Sequence, residues 1–212
     1  MIRILIADDH AIVRQGLKQI LENKKMKVVA DFSNGVDALC WARANDCDVV
    51  LLDISMPGKN GIEVLKQFHE EKPKLPILIL SIHPEDQYAV RLLKAGAAGY
   101  LTKETAPEVM AEAVRHVVQG KKYISPAVAE MLTDEICSPG GELPHETLSD
   151  REYQIFLLVA SAKTVSEIAD ILALSGKTVS TYRSRILKKM RLRNNAELMH
   201  YAIERHLIPI LI

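Results

Sequence analysis

The first 120 residues alternate short, nearly unbroken apolar runs with longer stretches whose apolar residues recur every three or four positions. The runs at 2–7, 27–31, 48–54, 76–81 and 98–102 are rich in β-branched residues. Continuous hydrophobicity of this kind marks strands buried on both faces, as in parallel sheets. The segments between them have helical length. In the first, Val13, Leu17, Ile20 and Leu21 fall on one stripe at i, i+4, i+7 and i+8. In the last, Pro107 stands where a helix begins, Val109, Ala113, Val114 and Val117 repeat on one face, and Gly120 supplies the stop. Five βα units in series predict an α/β fold, a doubly wound five-stranded parallel sheet.

Beyond Lys121 the pattern weakens. Residues 126–136 suit one short helix, while Ser138-Pro139-Gly140-Gly141 and Pro144 break regular structure. From Thr147 the chain is helical again, with three or four segments and no strand signal. The expected organisation is therefore one domain at 1–121, a linker with a short helix at 122–146, and a small all-α domain at 147–212. A length of 212 residues accommodates two domains, and 48% hydrophobic residues supply their cores. No run of about 18 apolar residues exists, and Met1 passes straight to Arg3, so neither a transmembrane helix nor a secretory signal is expected. The three cysteines, Cys40, Cys47 and Cys137, form no CxxC pair, which argues against a disulfide framework or zinc site and for a reducing cytoplasm.

The formal net charge of zero conceals a split. Residues 147–212 carry ten Lys/Arg against six Asp/Glu, whereas residues 1–146 carry 17 against 21. Between Lys177 and Arg193 stand seven basic side chains and no acidic one. Only the C-terminal part is expected to approach a polyanion.

Open α/β sheets bind ligands outside the carboxyl ends of their strands. That edge is expected to carry Asp8 and Asp9 after the first strand, Asp53 at the end of the third, Ser81 ending the fourth and Lys103 after the fifth. Three neighbouring carboxylates repel unless a cation or proton intervenes. A hard ion such as Mg²⁺ resolves the repulsion and keeps positions open for phosphate oxygens. Lys103 adds a point charge and Ser81 a hydroxyl. The set suits phosphoryl transfer to a carboxylate. A single aspartate at a strand end also serves as a turn or N-cap residue; five reactive groups at strand ends are poorly explained that way.

Residues 1–120 resemble the receiver domain of bacterial two-component response regulators, a flavodoxin-like fold. The resemblance rests on Asp8-Asp9-His10, Leu51-Leu52-Asp53-Ile54-Ser55-Met56-Pro57-Gly58, Ser81 and Gly99-Tyr100-Leu101-Thr102-Lys103. It implies that Asp53 accepts phosphate from a sensor histidine kinase. It implies further that Asp9, Asp53 and the Ser55 carbonyl ligate Mg²⁺, with Asp8 supporting through water, and that Ser81 and Tyr100 are the coupled switch positions. Glu104 stands where the family often has proline.

In the C-terminal part, Ser175 is a good N-cap for a basic helix running to about Met190. At about 100° per residue, Val179, Tyr182, Ile186 and Met190 form its apolar stripe. The opposite face shows Lys177, Thr181, Ser184 and Lys188, flanked by Ser180, Arg185 and Arg191. Short polar side chains framed by cations suit a helix in the major groove. Arg183 and Lys189 lie nearer the core flanks and reach sideways. Charge alone equally fits a solvated face or an acidic protein partner. The region resembles the LuxR-type helix-turn-helix of the NarL/FixJ subfamily, through Leu148-Ser149-Asp150-Arg151-Glu152, Glu167-Ile168-Ala169, Ser175, Lys177-Thr178-Val179, Lys188-Lys189-Met190 and Glu197-Leu198. This implies duplex promoter DNA and RNA polymerase as partners, homodimers on phosphorylation, and no membrane. Ala162 and Tyr182 depart from the family's usual glycine and histidine.

Two rivals stand beside this reading. A phosphohydrolase using Asp53 would want an acid two residues on, where Ser55 stands, so a phosphoacceptor rather than a turnover enzyme is expected. An adaptor would use the basic helix on an acidic protein. His10 reads as a loop residue beside the site. His83 reads either as a tuner of phosphate lifetime, by resemblance, or as an ordinary exposed histidine. The apolar end, Leu207-Ile208-Pro209-Ile210-Leu211-Ile212, fits packing on its own domain, a dimer contact or a solubility liability.

Overall fold

The computed structural model describes residues 1–56, 61–137, 143–205 and 207–208. Pro57 and Gly58 of the acidic motif, the Ser138-Pro139-Gly140-Gly141 segment expected to interrupt regular structure and the end of the apolar tail from Pro209 lie outside the described residues. The chain divides into two compact units, Met1–Ile136 and Cys137–Ile212.

In the first unit the chain runs β1 (Arg3–Ala7), α1 (Ala11–Asn23), β2 (Lys27–Phe32), α2 (Gly35–Ala44), β3 (Val49–Leu52), α3 (Gly61–Glu71), β4 (Ile77–Ser81), α4 (Glu85–Lys94), β5 (Gly99–Thr102) and α5 (Pro107–Val118). A further helix, α6 (Pro126–Cys137), follows. The sheet is parallel with order β2-β1-β3-β4-β5. The chain moves from β1 to one neighbour, then returns to lay β3 on the other side. That reversal is a topological switch point, and it opens a crevice at the carboxyl ends of β1 and β3.

The central strands are buried throughout, as their unbroken apolar runs predict: Ile4 to Ala7, Val49 to Leu52 and Ile77 to Leu80 are at most 3% exposed. Leu17 and Leu21 carry the α1 stripe into the core, with Val13 at its margin. The α5 stripe differs from expectation by one position. Val109 is exposed, and Met110 takes the buried place beside Ala113, Val114 and Val117. From Met110 these fall at i, i+3, i+4 and i+7, the tighter helical repeat, whereas Val109 sits about 100° off that line. Gly120 follows the helix at φ +79, a left-handed position where glycine carries no Cβ penalty.

The second unit opens with a 3₁₀ turn at Pro144–Thr147 and contains α7 (Asp150–Ala160), α8 (Val165–Leu172), α9 (Gly176–Met190) and α10 (Asn195–Glu204). Each start is capped in the sequence. Ser149 with Glu152 and Thr164 with Glu167 form capping boxes on α7 and α8, and Ser175 accepts from the Thr178 N–H on α9. Ala162 and Ala173 adopt φ +60 and +51 in the turns after α7 and α8. Leu207 and Ile208 are buried, and the Leu207 N–H donates to the Ala202 carbonyl. No helix of the described residues is long and apolar enough to cross a membrane.

Candidate functional site

Register brings the acidic residues together. Ala7 pairs with Leu52, so Asp8 and Asp53 leave neighbouring strands at the same level, and the Asp53 N–H donates to the Ala7 carbonyl at 2.8 Å. Ser81 pairs with Thr102, and the next residue, Lys103, donates its N–H to the Ser81 carbonyl at 2.7 Å. β3 ends one residue before Asp53, so the acid begins the loop rather than ending the strand.

Lys103 Nζ then reaches across the edge. It donates to Asp53 Oδ2 at 2.7 Å and lies equally close to Asp8 Oδ2 as an ion pair without hydrogen-bond alignment. Asp8 and Asp53 are 1% exposed. Asp53 Oδ1 accepts the Ser55 N–H, and Asp8 Oδ1 accepts the His10 N–H, both at 2.8 Å. Burial drives the Asp53 carboxyl above its ordinary value, opposed by Lys103 and the Ser55 N–H and reinforced by the Asp8 charge. For Lys103, burial disfavours the ammonium, but the hydrogen bond to Asp53 and the nearness of Asp8 outweigh it and raise its pKa. Single ligand atoms of Asp8, Asp9, His10 and Asp53 lie within 4.8 Å of one another. Asp8 Oδ2 is ion-paired with Lys103 Nζ and Asp9 Oδ1 with His10 Nδ1, both at 2.7 Å, while the Ser55 hydroxyl is buried without a hydrogen-bond partner. Three carboxylates gathered around a single lysine leave an excess of negative charge at this edge, which suits a hard cation.

Ser81 and Tyr100 grip the same residue. The Ser81 hydroxyl accepts the His83 N–H at 3.1 Å, and the Tyr100 hydroxyl donates to the His83 carbonyl at 2.8 Å. Ser81 is fully buried and Tyr100 is 2% exposed. Burial pushes the Tyr100 phenol well above its ordinary range, against the pull of its hydrogen bond to Ser81. The His83 imidazole is held low by burial, against the nearby Asp53 charge.

Gly61 was not singled out in the sequence. A Cβ there would stand 2.4 Å from the Ile54 Cα and 3.0 Å from the Asp53 carbonyl, so the start of α3 presses on the acid's own loop.

In the second unit, α8, the turn at Ala173 and α9 form a helix-turn-helix. Val179, Ile186 and Met190 bury the apolar stripe of α9, with Tyr182 partly covered. Lys177, Ser180, Thr181, Ser184, Arg185, Lys188 and Arg191 are all exposed. The hydroxyls of Thr181 and Ser184 donate back to the Lys177 and Ser180 carbonyls, at 2.9 and 3.1 Å. Two cations of the basic run are engaged within the unit. Arg183 Nε donates to Asn195 Oδ1 at 2.8 Å, and Lys189 Nζ donates to the buried Glu152 at 2.6 Å. Burial disfavours the ionised Glu152, but Lys189 and the Ser149 N–H outweigh it and lower its pKa.

This sheet with its acidic edge is the receiver type, and the helical unit is a helix-turn-helix DNA-binding type. The response regulator receiver domain family matches residues 4–115, and the family of bacterial regulatory proteins of luxR type matches 146–202. The chain belongs to the two-component response regulators of NarL/FixJ type, a receiver domain followed by a LuxR-type DNA-binding domain. It is 41% identical over 205 residues to response regulator UvrY of Escherichia coli K12, covering 96% of this chain and 94% of that one. It is 38% identical over 210 residues to response regulator GacA of Pseudomonas aeruginosa PAO1, covering 98% of both. Among solved structures, RcsB of Salmonella enterica serovar Typhimurium bound to promoter rprA with the phosphomimetic BeF3⁻ superposes with a TM-score of 0.63. That match has 27% identity and covers 94% of this chain and 97% of RcsB.

Proposed function

We propose that a sensor histidine kinase phosphorylates Asp53, and that this controls dimerisation and sequence-specific binding to promoter DNA in the cytoplasm. The observation that carries the reading is the convergence of Asp8, Asp53 and Lys103 at one buried edge, with Lys103 Nζ 2.7 Å from both carboxylates.

In the transfer step an Asp53 carboxylate oxygen attacks the phosphorus of a phosphohistidine. The P–N bond breaks, and the electron pair leaves with the imidazole. Lys103 balances the charge gained on Asp53, and the Ser55 N–H holds the carboxylate's orientation. Asp8, Asp9, Asp53 and the Ser55 carbonyl would hold Mg²⁺, which when bound neutralises phosphoryl oxygens; the oxygen-only set fits a hard ion. Because Ser55 offers no carboxylic acid for hydrolysis, the chain is a phosphoacceptor rather than a turnover enzyme.

The new charge sits beside Ser81. A hydroxyl turned toward a phosphoryl oxygen must release the His83 N–H, and Tyr100, bonded to the same residue, moves with it. In the second unit, Lys177, Arg185, Lys188 and Arg191 meet phosphates while Ser180, Thr181 and Ser184 face base edges. RNA polymerase is the further partner implied by promoter binding.

The test is intact-mass measurement after incubation with a small acyl phosphate and Mg²⁺. The parent gains one phosphoryl group and Asp53→Asn gains none. A phosphorylated Asp53→Asn protein refutes the assignment.

A further inference from the structure

We infer that Glu85 and Ser125 form a latch between α4 and the start of α6, through which the linker opposes phosphoryl acceptance at Asp53. The inference rests on the reading of Asp53 as phosphoacceptor and of Ser81 as its switch.

The segment after α5 is fastened to the sheet. Tyr123 lies beside β5 as an isolated parallel bridge partner of Gly99, and its N–H donates to the Ala98 carbonyl at 2.8 Å. The approach is close enough to need glycine, since a Cβ on Gly99 would stand 2.7 Å from the Tyr123 carbonyl oxygen. Lys122 Nζ donates to the Ala97 carbonyl at 2.6 Å. Two residues beyond Tyr123, the Ser125 hydroxyl accepts the Val128 N–H at 3.3 Å and so caps α6. The same hydroxyl donates to Glu85 Oε2 at 2.6 Å, 40 residues away. Capping uses only an oxygen lone pair. It accounts for the serine's oxygen, and Glu85 accounts for its proton.

Glu85 opens α4 and is stiffly joined to the switch. His83, held by Ser81 through its N–H and by Tyr100 through its carbonyl, stands two residues before it. Pro84 between them is locked at φ −63. Tyr88, buried one turn into α4, packs its ring on the His83 ring with centroids 5.1 Å apart. A His83 released by Ser81 therefore carries the first turn of α4 and the Glu85 carboxylate with it, while the pairing of Tyr123 with β5 keeps Ser125 in place. A short hydroxyl–carboxylate bond is strong and directional, so it resists that parting. The latch belongs to the arrangement in which Ser81 holds the His83 N–H. By linkage, if phosphoryl binding strains the latch, cutting the latch strengthens phosphoryl binding by the same factor.

The experiment uses the full chain with BeCl₂, NaF and MgCl₂, which form a phosphoryl analogue. Fluorine NMR measures its occupancy and affinity, and amide hydrogen exchange read by mass spectrometry follows residues 126–133. The parent is compared with Ser125→Ala, Ser125→Thr and Glu85→Ala, the last cutting the latch while leaving the α6 cap. In the parent, beryllofluoride is expected to speed exchange over 126–133 by about 10-fold. Ser125→Ala and Glu85→Ala are expected to bind beryllofluoride about 5-fold more tightly, and Ser125→Thr to behave as the parent. Bound beryllofluoride that leaves exchange over 126–133 unchanged in the parent overturns the inference. So does faster exchange in Ser125→Ala with parental affinity in both cut variants, which reduces Ser125 to a helix cap. A parent with no bound fluorine signal, or one matched by Asp53→Asn, instead refutes the phosphoacceptor reading and takes the latch with it.

Discussion

Lys189 lies within the most basic stretch of the chain, yet its Nζ is bonded to Glu152 Oε2 at 2.6 Å. The same Oε2 accepts the Ser149 N–H at 2.8 Å. One buried carboxylate thus closes the start of α7 and ties down α9.

Removing Glu152 breaks both contacts. Glu152→Ala is expected to destabilise the helical unit by about 2–3 kcal/mol, since Ser149 N–H and Lys189 each lose an acceptor. Thermal or urea unfolding measures it. The depressed Glu152 pKa sets the pH dependence. Its stabilisation is present above the unfolded value of 4.5 and lost as pH falls through the lower folded value. Glu152→Gln should flatten that acid-side loss.

DNA binding should separate two adjacent lysines. Lys188 is exposed, so Lys188→Ala should lower the slope of log affinity against log salt by about 1. Lys189→Met should leave the slope unchanged and cost about 1 kcal/mol of stability. Salt titrations on promoter DNA decide between them. Equal slope losses in both variants would refute the engagement of Lys189 by Glu152 in place of DNA.

Lys103→Met leaves Asp8 and Asp53 facing each other without their shared cation. Phosphorylation by a small phosphodonor should slow by about 10²-fold. The raised Lys103 pKa adds stability that is fully present below the unfolded value of 10.5 and lost as pH rises through the folded value. The parent's alkaline unfolding should therefore be steeper than that of Lys103→Met.

Gly61→Ala places a methyl 2.4 Å from the Ile54 Cα. Backbone must shift, at about 1–3 kcal/mol. Because that backbone adjoins Asp53, phosphorylation rate should fall along with melting temperature.

Ala162 and Ala173 hold left-handed backbone. Glycine removes the Cβ penalty but adds freedom to the unfolded chain, so each Ala→Gly exchange should stabilise by about 0.5–1 kcal/mol. Unfolding midpoints measure this.

The sheet was legible because strands buried on both faces write themselves as unbroken apolar runs, and Asp8, Asp53, Ser81 and Lys103 lie where those runs stop. Val109 and Met110 show the resolution of that signal: two apolar neighbours both fit a loose stripe, and packing chose the one in closer phase with Val114 and Val117. The exposure of Lys177, Ser180, Thr181, Ser184, Arg185 and Lys188 on α9, and of Arg191 just after it, follows from helical phase and charge. Lys189 was recognised as lying off that face, but its partner Glu152 is 37 residues away, beyond what local periodicity carries. The pairing of His10 Nδ1 with Asp9 Oδ1 at 2.7 Å was equally hidden, because chain neighbours carry no signal of how their side chains turn. Gly61 carried only the generic signal of a glycine at a helix start.

The back-bonded hydroxyls of Thr181 and Ser184 bear on what α9 can read. Their protons are already held by the helix, so only oxygen lone pairs face outward. Against a base edge they act as acceptors, and the exocyclic amino groups of adenine and cytosine are the partners they can take without letting go of their own backbone.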